Sequence, residues 1–258
     1  MQKPTIVIIM AGGLGKRMES DLPKVLHPVA GMPMLVRVIR SARVIKPAPQ
    51  KILVVVGQYK DLIEKTILEH MDLQTDIEFV LQPSPLGTGH AIQCCIPHLE
   101  KSPDSRTLIL SGDVPLLETR WMETLVNAER NNTKIMVTQF DDPSGYGRIL
   151  ENPPGIFEKI REEKDCDVQE KTVKKVNCGI YSFDSSLLLK YLPLLENNNA
   201  QKEYYLTDII GMIRTGENVV IDAVEISKED QMQICGVNTK AQLEELTQLW
   251  YEKNMIII

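Results

Sequence analysis

Ile6-Val7-Ile8-Ile9-Met10-Ala11-Gly12-Gly13-Leu14-Gly15-Lys16-Arg17-Met18, running on to Leu22-Pro23-Lys24-Val25-Leu26, is the stretch whose reading decides the fold. Ile6 to Ile9 form a short continuous apolar run, which suits a strand buried on both faces of a parallel sheet. A turn follows at once. Gly12, Gly13 and Gly15 permit backbone conformations and approaches that a Cβ would block, so successive N–H groups can face an anion. Lys16, Arg17 and Lys24 add positive charge beside it. The stretch therefore reads as a phosphate cradle, with a plain tight connection as the competing reading. Two better-known glycine motifs fail here. A dinucleotide fingerprint requires glycine where Met18 stands, and a P-loop requires glycine at Met10 and Ser or Thr at Arg17.

Working outward, periodicity and turn residues predict helices at Met34 to Ala42, Asp61 to Glu69 and Gly89 to Cys95, between strands at Lys51 to Val56, Ile77 to Leu81 and Thr107 to Leu110. Strands alternating with such helices imply parallel βαβ units with right-handed crossovers, and ligands at the carboxyl ends of the strands. The second half predicts strands at Lys134 to Thr138, Arg148 to Leu150, Val173 to Val176, Gly179 to Phe183 and Val219 to Val224. Its predicted helices are Ser185 to Leu192, Leu206 to Arg214 and Ala241 to Trp250. The expected architecture is α/β, a Rossmann-like mixed but mostly parallel sheet flanked by helices. Without a Gly/Ser linker, residues 1–258 read as a single domain. Its first half runs to about residue 113, its second half to about 238, and a C-terminal helix and apolar tail fill 239–258.

Composition narrows the function. A net charge of −6 argues against a general nucleic-acid binder, which holds phosphate backbones with clustered positive charge. No apolar run approaches the roughly 20 residues needed to span a bilayer, and no leader pattern opens the chain, so a cytoplasmic protein is expected. Five cysteines without a Cys-x-x-Cys pair suit reduced thiols rather than a disulfide framework. Cys94-Cys95 with His98 lacks the ligand count of a soft-metal site.

The second chemical signal is Ser111-Gly112-Asp113-Val114-Pro115 at the end of a buried strand. Asp113 occupies a metal-ligand position, although an acid there also serves as a helix N-cap. Mg²⁺ usually keeps several waters and takes only one or two protein oxygens plus phosphates, so one further oxygen would suffice. Asn238, in Cys235-Gly236-Val237-Asn238, is the candidate partner, with an N-cap again as the alternative.

Taken together, these segments resemble the uridyltransferase domain of bacterial N-acetylglucosamine-1-phosphate uridyltransferases, within the sugar-nucleotide pyrophosphorylase superfamily. The resemblance runs through Ala11 to Met18, Leu22 to His27, Gln82 with Leu86-Gly87-Thr88-Gly89-His90-Ala91, and Gly112 to Pro115. It continues through Asp142 to Ile149, Glu162 to Asp165, Asn177 to Ile180, Asn197 to Asp208 and Gly236 to Asn238. It implies that Met10, Ala11, Gly12, Gly13, Gln82, Gly87, Thr88 and Gly112 bind the nucleotide of UTP. Arg17 and Lys24 would hold its triphosphate, and Asp113 and Asn238 a Mg²⁺ ion. Gly147, Glu162, Asn177, Asn199 and Tyr205 would bind N-acetylglucosamine-1-phosphate. The implied reaction gives UDP-N-acetylglucosamine and pyrophosphate by attack of the sugar phosphate on the α-phosphorus of UTP, without a general base or covalent intermediate.

Four departures accompany the resemblance. The hexapeptide β-helix of the bacterial family is absent, so acetyltransferase activity is not expected. Cys178 stands in place of the usual Thr or Ser, and Ser111 in place of an aromatic residue. Glu163 is as acidic as Glu162, so the sugar-binding acid has two possible registers. A pyrophosphorylase for another sugar-1-phosphate or for dTTP, and a non-catalytic sensor of sugar nucleotides, are the alternatives. Oligomeric state carries no signal in the sequence.

Overall fold

The computed structural model describes residues 3–71, 76–127 and 133–255. The first half runs β1 (Thr5–Met10), β2 (Pro28–Val29), β3 (Met32–Pro33), α1 (Met34–Arg43), β4 (Lys51–Val56), α2 (Lys60–His70), β5 (Ile77–Leu81), α3 (Thr88–Gln93), α4 (Ile96–Leu99) and β6 (Arg106–Ser111). The second half adds α5 (Thr119–Val126), β7 (Lys134–Gln139), β8 (Arg148–Glu151), β9 (Phe157–Arg161), β10 (Lys175–Asp184), α6 (Ser185–Tyr191), α7 (Leu206–Glu217), β11 (Asp222–Glu225) and α8 (Lys240–Met255). The apolar tail at 256–258 lies outside the described residues.

One large sheet has the order β11-β7-β10-β6-β1-β4-β5, with β8 branching from β10 and β9 pairing β8. Pairs β1–β4, β1–β6, β4–β5 and β7–β11 are parallel, while β10 runs antiparallel to both its neighbours in that order. The architecture is the mixed, mostly parallel sheet expected. β1 is buried on both faces because its side chains alternate. Val7 and Ile9 join a cluster with Leu35 and Ile39 of α1, whereas Ile6 and Ile8 join one with Ile92 of α3 and Ile209 of α7. After β5 the chain crosses back over β1 to form β6 on its other side. The crevice outside the carboxyl ends of β1 and β6 is thus a switch point of the kind where ligands bind in open α/β sheets.

Four elements of the second half differ from expectation. β10 is one strand where two were expected, because Gly179 at φ +71° absorbs a register shift between Asn177 and Tyr181 and pairing with β7 resumes beyond it. α5 and β9 were not expected. α5 buries Met122, Leu125 and Val126 at helical spacing but over only eight residues, and β9 buries Phe157 and Ile160, which do not alternate, so the first is short and the second lacks a period of two. β11 begins at Asp222 rather than Val219, and Val220 is 72% exposed.

Candidate active site

The cleft forms where two strands end side by side. Met10 and Ser111 are register partners at the carboxyl ends of β1 and β6, and the Gly112 N–H donates to the Met10 carbonyl at 2.9 Å. The next residue, Asp113, turns into the opening. Its carbonyl accepts from the Val237 N–H at 3.0 Å, which carries the 235–238 segment across to it. Thr239 and Gln242 then close a capping box: the Gln242 N–H donates to Thr239 Oγ1 at 3.2 Å, and Gln242 Oε1 accepts from the Thr239 N–H at 3.2 Å. The cap of α8 is therefore Thr239, and the Asn238 side chain is directed elsewhere. Asp113 precedes α5 by several residues and caps nothing.

Lys24 completes the centre. Its ammonium contacts Asp113 Oδ2 in an ion pair and donates to Asn238 Oδ1 at 3.1 Å, while Asp113 Oδ1 accepts from Ser111 Oγ at 2.7 Å. Residues from three distant parts of the chain meet here. Gly15 makes the approach possible: at φ +59° it sits where any Cβ would come within 2.6 Å of Lys24 Cβ.

Two cavities open on either side. The first, about 510 Å³, is lined by the glycine turn Met10 to Leu14, by Lys24, and by Gln82, Gly87 and Thr88. The second, about 340 Å³, is lined by Arg17, Tyr146, Gly147, Glu162, Asn177, Thr207 and Asn238 among others. Met10, Thr88, Ser111 and Asp113 line both, so the two are chambers of one cleft that meet at the acid.

The loop that closes the first chamber is tied to the second half. The Gly89 N–H donates to the Tyr204 carbonyl at 2.7 Å, the Tyr204 N–H to the Leu86 carbonyl at 2.8 Å, and the Leu206 N–H to Thr88 Oγ1 at 3.1 Å. Gln82 Nε2 donates to the Gly87 carbonyl at 3.1 Å and lies 3.2 Å from His90 Nδ1.

In the second chamber Glu162 Oε1 accepts from Thr207 Oγ1 at 2.8 Å. Burial pushes the Glu162 carboxyl above its ordinary range, and Asp208, Asp165 and Glu203 push it further, against the hydrogen bond from Thr207. Glu163 points away: its Oε2 lies 2.7 Å from Nη2 of the buried Arg148, an ion-pair contact without hydrogen-bond alignment. Of the two acids only Glu162 lines the chamber. Asn177 Nδ2 donates to the Tyr181 hydroxyl at 2.7 Å and its Oδ1 accepts from the Gly179 N–H at 3.2 Å, so both ends of the amide are held. Burial, with Cys235, Cys178 and Asp113 nearby, pushes the Tyr146 phenol up to about 12.

The expected residues do not all reach the cleft. Met10, Ala11, Gly12, Gly13, Gln82, Gly87, Thr88, Lys24 and Asp113 line the first chamber, and Arg17, Gly147, Glu162, Asn177 and Asn238 the second. Gly112 is buried behind the wall, where it passes the chain from β6 to Asp113. Asn199 and Tyr205 line neither chamber. Asn199 Nδ2 donates to the Glu203 carbonyl at 2.6 Å and its Oδ1 accepts from the Gln201 and Glu203 N–H groups, while the Tyr205 hydroxyl donates to Asp165 Oδ2 at 3.0 Å. Asn199 satisfies the backbone of the loop before α7, and Tyr205 ties the end of that loop to the Asp165 carboxylate. Ser111, Tyr146, Tyr181 and Thr207 were not singled out from sequence as binding residues. Tyr181 meets Asn177 across the register shift of β10, which sequence patterning read as a break between two strands, so no local signal pointed to it.

Residues 7–175 match the MobA-like NTP transferase domain. The chain belongs to this nucleotidyltransferase family. It is 40% identical over 241 residues to a protein of Acanthamoeba polyphaga mimivirus named "Probable UDP-N-acetylglucosamine pyrophosphorylase", covering 92% of this chain and 93% of the viral one. It is 39% identical over 251 residues to "Bifunctional protein GlmU" of Burkholderia ambifaria, covering 96% of this chain and 52% of that relative. The chain thus spans about half the length of such bifunctional relatives. A crystal structure of a Bacillus anthracis protein, described as a candidate glucose-1-phosphate thymidylyltransferase in complex with sucrose, superposes with a TM-score of 0.70 at 20% identity, covering 95% of this chain and 94% of that one. That likeness concerns the fold.

The centre also fits a divalent cation. No cluster of three or more His, Cys, Asp or Glu occurs among the described residues. Mg²⁺ needs fewer, and an ammonium already stands in for a cation between the Asp113 carboxylate and the Asn238 amide oxygen.

Proposed function

We propose that this nucleotidyltransferase moves the uridylyl group of UTP to N-acetylglucosamine-1-phosphate, releasing pyrophosphate and UDP-N-acetylglucosamine. The observation that carries this reading is the two-chambered cleft whose chambers share Asp113, with Lys24 and Asn238 beside it. Transfer between two phosphorylated substrates requires both phosphates at one charged junction, and the names of the relatives at 40% and 39% identity supply the substrate class.

In this reading the glycine turn with Gln82, Gly87 and Thr88 receives uracil and ribose, and Gly112 keeps the backbone in place behind them. Lys24 neutralises the α-phosphate, and the exposed Arg17 grips the leaving β- and γ-phosphates with its planar fork. Asp113 and Asn238 would hold Mg²⁺, which supplies charge neutralisation and orientation for in-line displacement. Glu162, Asn177 and the backbone at Gly147 take the sugar hydroxyls and amide, with Asn199 and Tyr205 holding the loop that leads into Leu206 and Thr207 of that chamber. The attacking phosphate oxygen needs no base, since the second pKa of a phosphate monoester is about 6. Catalysis is then positioning and charge stabilisation. No helix among the described residues is long and apolar enough to cross a membrane, and all five cysteines are free, which suits a reaction in the cytoplasm.

Pyrophosphate release from UTP or dTTP, measured with a panel of sugar-1-phosphates with and without Mg²⁺, tests this. Release should require UTP, N-acetylglucosamine-1-phosphate and the metal together. Turnover with glucose-1-phosphate but not the N-acetylated sugar would move the sugar assignment. Binding of UTP with no turnover on any sugar phosphate would instead make the chain a sensor.

A further inference from the structure

Lys24 touches the two oxygens that the proposed function gives to the metal, and that contact has a consequence for how the site loads. We infer that Lys24 is the resident cation of the metal-free site, that its ammonium competes with the divalent ion for Asp113 and Asn238, and that a phosphate in the first chamber relieves the competition. The inference rests on the metal role proposed above.

Three observations carry it. The Lys24 ammonium is paired with Asp113 Oδ2 and lies 3.1 Å from Asn238 Oδ1, so it occupies the approach to both donors at once. A Mg²⁺ ion binds oxygen at about 2.0–2.1 Å, and no ammonium can keep both contacts while such an ion takes the same two oxygens. The pair is also shielded, with side-chain exposures of 13% and 15%, so solvent does little to screen the repulsion between the two cations.

Where the lysine can go follows from its anchoring. Its backbone lies in the short turn Lys24–Leu26 and is pressed against Gly15, so the flexible four-carbon stem is the part free to swing. Lys24 lines the first chamber, whereas Asn238 lines the second. An anion seated in the first chamber therefore offers the ammonium a new partner away from Asn238, and the carboxylate and amide oxygens are left for the metal. By linkage, whatever factor the phosphate adds to metal affinity, the metal adds to phosphate affinity.

The test reads metal binding directly. Mn²⁺ is titrated into the full chain without nucleotide and the free ion is followed by electron paramagnetic resonance. Lys24→Met should bind Mn²⁺ at least about tenfold more tightly than the wild type, and Lys24→Arg should not, because it keeps the charge. Uridine 5′-monophosphate, whose phosphate also ligates the ion directly, should tighten Mn²⁺ binding to the wild type by a larger factor than binding to Lys24→Met, because only in the wild type does it also draw the ammonium away. Mn²⁺ should likewise raise the unfolding temperature of Lys24→Met more than that of the wild type, since removing the ammonium leaves Asp113 without its partner. Should Lys24→Met not fold, Lys24→Gln serves in the same assays. Mn²⁺ affinity unchanged by loss of the lysine charge, or equally improved in Lys24→Arg, overturns the inference. If Asp113→Asn still abolishes Mn²⁺ binding in that case, the metal role itself stands. Mn²⁺ binding indifferent to Asp113→Asn removes the metal role and the inference together.

Discussion

Burial raises the Glu162 carboxyl above its ordinary value of 4.5, and the negative charges of Asp208, Asp165 and Glu203 raise it further. The folded state therefore holds this proton more tightly than the unfolded chain. Stability from this group is fully present below pH 4.5 and is lost as pH rises through the raised folded value. Glu162→Gln should remove that component, so wild-type and variant stabilities measured by urea unfolding converge at low pH and part in the variant's favour at neutral pH. The same variant should raise the KM for the sugar phosphate about ten- to a hundredfold while leaving that for UTP unchanged, since a hydrogen bond to a charged acceptor is worth about 1.5–3 kcal/mol. Asp113 differs in kind, because it sits at the junction of both chambers. Asp113→Asn should lower kcat at least about a hundredfold, with an unchanged circular dichroism spectrum. Near-wild-type turnover would end its assigned role.

Among the elements, the loop from β5 into α3 carries the largest local constraint in the first chamber. Gly87 sits at φ +110°, and any Cβ there would come within 2.6 Å of the Tyr204 carbonyl oxygen. The loop cannot relax alone, because Gly89 and Leu86 are hydrogen-bonded to Tyr204 on the approach to α7. Gly87→Ala should destabilise the protein by about 1–3 kcal/mol, lowering the thermal midpoint, and should weaken UTP binding at temperatures where the fold is intact. Unaltered stability would mean that the segment before α7 yields easily. The β8–β9 hairpin is held differently. Arg148 is 2% exposed and spans from β8 to the partly exposed Glu163 just after β9, so Arg148→Ala should cost about 1–3 kcal/mol by leaving polar groups of the hairpin without their partner. Chemical denaturation of that variant measures it.

For the molecule as a whole, β10 makes the two halves inseparable. It pairs with β6 of the first half on one side and β7 of the second on the other, and the cores above and below the sheet run through both. Thermal unfolding should therefore show one transition. UTP at a hundredfold excess over its Kd should stabilise the fold by about 2.7 kcal/mol and move that transition intact. Two transitions, only one of them moved by UTP, would mean that the halves fold independently.

Much of this was legible in the residues. The apolar runs at Ile6–Ile9 and Leu108–Leu110 specify buried parallel strands by composition alone, and the glycines after β1 and the acid after β6 mark the ends where a ligand can sit. What needed the tertiary structure was everything that depends on contacts between distant segments. Sequence patterning left Asp113 and Asn238 open between helix cap and ligand, and Glu162 open against Glu163. Packing resolved the placement, through Thr239 at the cap of α8, the Val237–Asp113 hydrogen bond and the pull of Arg148 on Glu163. β10 read as two strands because a residue beyond a positive-φ glycine has no local reason to rejoin a sheet, and only its pairing with β7 supplies one. Local propensity acts over a few neighbouring residues, and so the sequence by itself determined the strands, the turns and the chemistry available. Which of those groups meet, and the seating of Lys24 between the Asp113 carboxylate and the Asn238 amide oxygen, were decided by long-range packing.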